Sequence, residues 1–287
     1  MIIALVNPKS HSGSSEAEAK RVLSTLKEGE YVQYNVTEKL DYKKIFSELK
    51  EGDEVYLFGG DGTLNFFVND VHDIEIKNNI YFYPTGTGND FINDIRKNKD
   101  EVIERVLLNQ YLTNLPKVIV NGEERYFIND VGFGIDGYCT EEGDRQHAAN
   151  PDKAVNYTSI AIKGLLGKYK RPNAKVIIDD GEPMEFKKVW LAPTMKGRYY
   201  GGGMMVAPMQ DRYKEDDLSF VVFFGCGKLS TLMKFPKIFT GEHVKYKKVF
   251  YSFKVKHHIV VEFDRPTALQ IDGETRSNIT KYEVFFR

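Results

Sequence analysis

Val55-Tyr56-Leu57-Phe58-Gly59-Gly60-Asp61-Gly62-Thr63 passes from an unbroken apolar run straight into a glycine-rich loop, and Ile80-Tyr81-Phe82-Tyr83-Pro84-Thr85-Gly86-Thr87-Gly88-Asn89-Asp90 repeats the design. Each apolar run is short, aromatic or branched, and bounded by turn residues, so it reads as a buried strand. After each loop the chain returns to helical spacing, with Leu64, Phe67, Val68 and Val71 in the first case and Phe91, Ile92 and Ile95 in the second. Both loops therefore occupy strand-to-helix turns, the edge at which open α/β sheets gather ligands. Glycine admits φ > 0 and close approach to the backbone, and amides at a helix start face an anion. A phosphate-bearing ligand is expected there.

Outward from these loops, residues 1 to about 110 alternate strands (2–6 and 31–36) with amphipathic helices (14–26 and 42–49), the pattern of a layered α/β domain. From about residue 117 the segments become β-rich, at 117–120, 125–128, 175–178, 188–192, 218–224, 259–263 and 282–286, with one helical interruption at 154–166. Many strands separated by turn residues predict a sandwich or barrel-like domain. The fold class expected is α/β plus β: an N-terminal layered α/β domain and a C-terminal β-sandwich-like domain, with a cleft between them. The boundary is expected at 125/126.

The 287 residues carry 40 Lys plus Arg against 41 Asp plus Glu, so no global field draws the protein to nucleic acid. Cys139 and Cys226, far apart, suggest neither a disulfide framework nor a zinc site, and a cytoplasmic setting is expected. Met1 to Val6 reads as a first core strand and not as a signal peptide. No run approaches the roughly 18 apolar residues that span a bilayer, so the chain is expected to be soluble or to rest on a membrane.

Gly132-Phe133-Gly134-Ile135-Asp136-Gly137 matches the dinucleotide fingerprint letter for letter. It lacks the βαβ continuation and the acidic strand end that the fingerprint needs, so a turn into a helix is the preferred reading. A P-loop pattern is absent. Taken alone, Gly59 to Thr63 reads equally well as a capped turn or as a ligand loop in which Asp61 holds a metal or a metal-bound water and Thr63 caps the helix or touches phosphate. His72, His147, His243, His257 and His258 show no metal-ligand spacing.

At this point the sequence resembles the diacylglycerol kinase catalytic domain family, shared by bacterial diacylglycerol and related lipid kinases and by sphingosine kinases. The resemblance rests on Asn7-Pro8-Lys9-Ser10 with Gly13, on 59–65, on 84–91, on 129–136, on Gly202-Gly203-Met204 through Ala207-Pro208, and on Ile271-Asp272-Gly273-Glu274. It implies an ATP- and Mg²⁺-dependent kinase acting on a lipid hydroxyl, diacylglycerol or a related lipid. The second domain (126–275) would handle the lipid, and 276–287 would return to the first.

Carried over residue by residue, the nucleotide site is Asn7, Pro8, Lys9, Ser10, Gly13, Gly59, Gly60, Asp61, Gly62, Thr63, Asn65, Thr85, Gly86, Thr87, Gly88, Asn89 and Asp90. The catalytic set is Glu274 as first choice of base, Asp272 as second, and Asp61. Asp216 with the Leu218 carbonyl, and Asp211, are the metal ligands implied; Asp217 stands where the family has glycine, as does His11 in the first loop.

Between 234 and 258 lysines interleave with aromatics against the single acid Glu242. That pattern is foremost ordinary half-buried strand patterning and also fits a surface facing anionic lipid, so peripheral contact at the inner face of the membrane is the lesser expectation. Rival readings are an NAD kinase, which carries a related G-G-D-G-T loop, and a non-catalytic nucleotide-binding regulator. The lipid and the oligomeric state have no sequence signature.

Overall fold

The computed structural model describes residues 1–98, 100–150, 155–214 and 217–286; the side chains of His11, Ser12 and Thr158 lie outside the description. It divides into two compact units, Met1–Leu115 and Pro116–Arg287.

In the first unit β1 (Ile2–Val6), β2 (Tyr31–Asn35), β3 (Glu54–Gly59), β4 (Asn79–Pro84) and β5 (Val106–Leu107) form one sheet in the order β2-β1-β3-β4-β5. β1, β2, β3 and β4 run parallel and β5 antiparallel. Helices α1 (Ser14–Leu23), α2 (Tyr42–Ser47), α3 (Asp61–Val71) and α4 (Asp90–Ile95) connect them. Parallel strands covered on both faces read as continuous apolar runs, which is why 55–58 and 80–83 are unbroken.

Alternate residues serve opposite faces. Ala4, Val6, Tyr56, Phe58 and Tyr83 pack with Ala19 and Leu23 of α1. Leu5, Leu57 and Phe82 are buried as well, and Phe82 meets Phe91 of α4 edge-on at 6.2 Å. Phe58 stacks on Tyr83 at 4.5 Å across the two loop-bearing strands, and truncating such a ring costs about 3–5 kcal/mol. The register Val6↔Phe58 and Gly59↔Pro84 brings the ends of β1, β3 and β4 level, so their three following loops share one sheet edge.

The second unit contains β6 (Lys117–Val120), β7 (Glu123–Tyr126), β8 (Asp130–Gly134), α5 (Ile135–Ala149), α6 (Tyr157–Lys163) continuing as a π-helical turn (Gly164–Lys168), β9 (Ala174–Ile178), β10 (Met184–Phe186), β11 (Val189–Met195), β12 (Tyr199–Tyr200), β13 (Met204–Met205), β14 (Leu218–Phe224), α7 (Lys228–Lys234), β15 (Phe250–Val255), β16 (His258–Ile271) and β17 (Glu274–Phe285). The long strand β16 pairs with β17 in both its halves, with β9 through its first half and with β8 near its end, and its pairing with β17 shifts register between Glu262 and Leu269. One hydrogen-bonded surface thereby wraps a common core: Val118, Val176 and Phe186 pack in the same cluster as Phe133, Phe220 and Leu269. This is the sandwich-like domain expected.

Several expectations are corrected. The division falls at Leu115/Pro116 and not at 125, because β6 and β7 form a hairpin whose β6 pairs with β17 in the second sheet. The 276–285 stretch belongs to β17 and stays in that sheet; it does not join β1–β5. The helix expected at 154–166 runs 157–163 and ends in the π turn, where Gly167 at φ 148 breaks helical geometry. The turn into a helix expected at 132–137 is the passage from β8 into α5, whose full length was not anticipated; α7 was not anticipated.

Candidate active site

The loops at the shared edge of the first unit are held by each other. Thr85 N–H donates to Gly59 O at 2.8 Å, Asn7 Nδ2 donates to Thr63 Oγ1 at 2.7 Å, and Ser14 Oγ donates to Thr85 O at 2.8 Å. Asn7 Oδ1 also accepts Lys9 N–H at 3.0 Å, folding the first loop back on its strand. Ser15, fully buried, meets Thr85 Oγ1 at 2.5 Å through its hydroxyl.

Glycine is required at the crossing: a Cβ on Gly86 would lie 2.6 Å from Gly60 Cα, and one on Gly59 would lie 2.3 Å from Thr63 Cβ. The two loops touch backbone to backbone, leaving the first amides of the eleven-residue α3 at the edge. Gly13, at φ 92, caps the start of α1.

Asp61 is engaged with the second loop through its side chain. Its Oδ2 accepts Asp90 N–H at 2.9 Å and its Oδ1 accepts Phe91 N–H at 3.0 Å. The carboxylate of the first glycine loop thus caps the helix that follows the second, supplying the acceptor for two orphan amides of α4. Asn89 adopts the left-handed conformation at φ 49, with its Oδ1 buried and unpartnered. Asn93 Nδ2 holds Gly88 O at 3.1 Å, Asn65 is buried, and Thr87 is exposed.

In the second unit Asp272-Gly273 is the two-residue loop of the β16–β17 hairpin, pairing Ile271 with Glu274. Both loop residues have positive φ, 46 and 90, the backbone that Asp-Gly supplies in hairpins of the I′ kind. The motif is a turn between two strands, and its two acids are not equivalent.

Asp272 is buried, and its carboxylate accepts three backbone amides: Ile128 at 2.7 Å, Asn129 at 2.8 Å and Asp130 at 2.9 Å. Buried Arg212 reinforces the same segment through Ile128 O and through Asn129 Oδ1 at 2.9 Å. Glu274 is half-buried, and burial first, then the like charge of Asp144, pushes its carboxyl above the ordinary range against the pull of Arg276 and Arg125. Of the pair, Asp272 is buried in the turn and Glu274 is the more exposed carboxyl.

Comparison with known proteins fits these parts. Residues 1–114 match the family described as "Diacylglycerol kinase catalytic domain", and residues 129–284 match "YegS C-terminal NAD kinase beta sandwich-like domain". The chain belongs to the diacylglycerol kinase catalytic domain family.

Among curated relatives of this lipid kinase family, "Putative lipid kinase YtlR" of Bacillus subtilis is 27% identical over 184 residues, 58% of this chain and 57% of that protein. The chain thus spans little more than half of that relative's length. A "Putative lipid kinase" of Staphylococcus aureus (strain Newman) is 26% identical over 247 residues, 80% of this chain and 76% of its own. A crystal structure of "a putative diacylglycerol kinase" from Bacillus anthracis superposes with a TM-score of 0.65 at 18% identity, covering 100% of this chain and 92% of that one, a likeness of fold.

Against the family's acidic loop the structure is less complete. Asp216 lies outside the described residues. Asp211 accepts Tyr213 N–H at 3.1 Å and faces Lys214 Nζ at 3.5 Å. Leu218 opens β14 opposite Val255, and its neighbour Asp217 is engaged twice: the carboxylate by Lys254 at 2.6 Å and the carbonyl by Gln210 Nε2 at 2.9 Å. Among the described residues no group of three or more His, Cys, Asp or Glu side chains could hold a metal ion.

The dinucleotide fingerprint is a turn into a helix, from β8 into α5, and also a packing device: a Cβ on Gly137 would sit 2.3 Å from Ala268 O, so its glycine lets α5 lie directly on β16. His243 is structural, buried against Phe250 with Nε2 on Val206 O at 2.9 Å. In the 234–258 segment Phe235 and Phe250 are buried while Phe239 and Tyr251 are exposed. No helix among the described residues is long and apolar enough to cross a membrane. Ser14, Ser15 and Arg212 are the residues of these sites that sequence reading missed; single polar residues outside a motif give no signal.

Proposed function

We propose that the chain is an ATP- and Mg²⁺-dependent kinase that transfers the γ-phosphoryl group to a lipid hydroxyl, diacylglycerol or a related lipid. The observation that carries the reading is the backbone-to-backbone crossing of Gly60 and Gly86, which brings two glycine-rich strand-to-helix turns together at one sheet edge, the kind of backbone that serves a phosphate. Asn7, Thr63 and Thr85 brace that cradle, and Asp61 fixes the second loop to the first. Glu274 takes the proton of the attacking hydroxyl; its raised pKa brings it nearer the pH at which a base both stays ionised and accepts readily. Asp211 and Asp216, with the Leu218 carbonyl, are the residues to hold Mg²⁺, for which one or two carboxylates and phosphate oxygens suffice. The ion supplies charge neutralisation on the phosphates.

The lipid-facing surface we assign to α6, its π turn and α7. Ile162, Leu166, Leu229 and Met233 project there, at 46%, 59%, 73% and 64% exposure. The two segments are joined by Lys228 Nζ on Leu166 O at 3.1 Å. Residues 155–171 and 226–241 carry seven Lys or Arg and no Asp or Glu, which suits an anionic bilayer. Vesicles containing phosphatidylglycerol should pellet the protein at low salt, less so at high salt, and not the Leu229→Glu/Met233→Glu variant; equal pelleting of both proteins would remove this surface from the proposal.

The test of the activity is labelled ATP with a panel of diacylglycerol, phosphatidylglycerol, a polyprenol, a sphingoid base and NAD. Label in a lipid, lost in Glu274→Gln, is expected. Label in NAD would replace this reading with an NAD kinase, and label nowhere with a nucleotide-binding regulator.

A further inference from the structure

β8 and β16 are neighbours with Gln270 opposite Gly132, so strand alternation puts Asp130, Gly132 and Gly134 on the face that carries Gln270. The other face is apolar: Val131, Phe133, Leu269 and Ile271 all belong to the sandwich core. α5 covers the polar face, bringing Asp136 over the two glycines; a Cβ on Gly134 would lie 2.7 Å from Asp136 Oδ1. Gln270 is 2% exposed, Asp130 2% and Asp136 7%, so these three polar side chains form a dry layer between helix and sheet.

Within it the Gln270 amide is oriented unambiguously. Its Nε2 donates to Asp130 Oδ2 and, at 3.3 Å, to Asp136 Oδ2, while its Oε1 accepts Gly273 N–H at 2.8 Å. A carboxylate only accepts when ionised, so two of them on one side force the nitrogen toward themselves and the oxygen toward the hairpin loop. Asp130 holds the same loop a second time through its own carbonyl, which accepts Asp272 N–H at 2.9 Å.

We propose that Gln270 is a positioning residue for phosphoryl transfer: it grips the Gly273 amide and so fixes the backbone that presents Glu274, with Asp130 and Asp136 setting its orientation. This rests on the reading of Glu274 as the base. A loop pinned on one side only by Asp272 can rock about that anchor, and displacement of a base by about 1 Å costs on the order of 100-fold in rate.

The test compares Gln270→Met, which keeps length and loses both hydrogen-bonding ends, with Asp136→Asn, which keeps the packing and releases the orientation, using labelled ATP and the best acceptor of the panel. Expected are a fall in kcat of about 10-fold or more for the first and a smaller one for the second, an ATP KM within about two-fold of the parent, and a displaced acidic limb of kcat/KM. A merely structural Gln270 would lower the melting temperature and leave kcat and the limb where they were; that result overturns the proposal. If Gln270→Met does not fold, Asp136→Asn with parental kcat and limb overturns it equally. Glu274→Gln is the control: turnover in that variant sinks the base assignment itself, whereas a dead Glu274→Gln beside a fully active Gln270→Met sinks the positioning role alone.

Discussion

Replacing Asp61 by Ala separates a ligand-binding carboxylate from a helix cap. The side chain accepts two backbone amides, Asp90 and Phe91, each bond to a charged acceptor being worth roughly 1.5–3 kcal/mol. Asp61 is half-exposed, so water recovers part of the loss, and about 2–3 kcal/mol should remain. In a unit of this size that lowers the melting temperature by about 10 °C. Asp61→Asn keeps one acceptor and should lose about half as much. Hydrogen exchange gives the local version: protection at the Asp90 and Phe91 amides should fall about 30- to 100-fold, while β1 and β3 change only with global stability. ATP binding, by calorimetry, should weaken as a consequence of the loosened second loop. An Asp61→Ala protein with parental stability and parental protection at both amides, yet no ATP binding, would refute the capping argument and return Asp61 to the ligand.

Gly86→Ala should cost about 1–3 kcal/mol and weaken ATP binding about 10-fold or more, because its new methyl falls on Gly60 Cα and neither backbone can yield; calorimetry and urea unfolding read both. Asp136 is pushed up to about 6 by burial, so the stability its protonated form contributes is fully present below the ordinary carboxyl range and is lost as pH rises through about 6. Asp136→Asn should therefore gain on the parent between pH 4 and pH 7.5 by up to about 3 kcal/mol, visible as diverging urea midpoints; parallel midpoints would contradict the assignment.

How much of this was legible follows from distance along the chain. β1, β3 and β4 announce themselves because both faces of a parallel sheet are covered, and Asp272-Gly273 announces a hairpin because two consecutive positive φ values suit that pair. That Asp272 reaches amides at 128–130 could not be read, since nothing local records a partner more than 140 residues earlier. The start of α5 was legible in the turn at 132–137, but its length to Ala149 was not. Its sheet side meets a polar layer through Asp136 and Gly137, so it lacks the apolar stripe by which helices are recognised. The capping bonds of Asp61 could not be read either, because a carboxylate in a glycine loop looks the same in sequence whether it faces a cation or the next helix.

The contact of Gly60 with Gly86 has a mechanical consequence. Two backbones already at their closest approach, with no side chain at either crossing point to swing aside, leave the loops no slack in compression, and the bond from Thr85 N–H to Gly59 O resists their separation. The cradle behaves as an anvil and not as a jaw. Nucleotide entry should leave the relative position of these loops unchanged to within a few tenths of an ångström, so that any closure accompanying turnover has to be sought in segments with room to move.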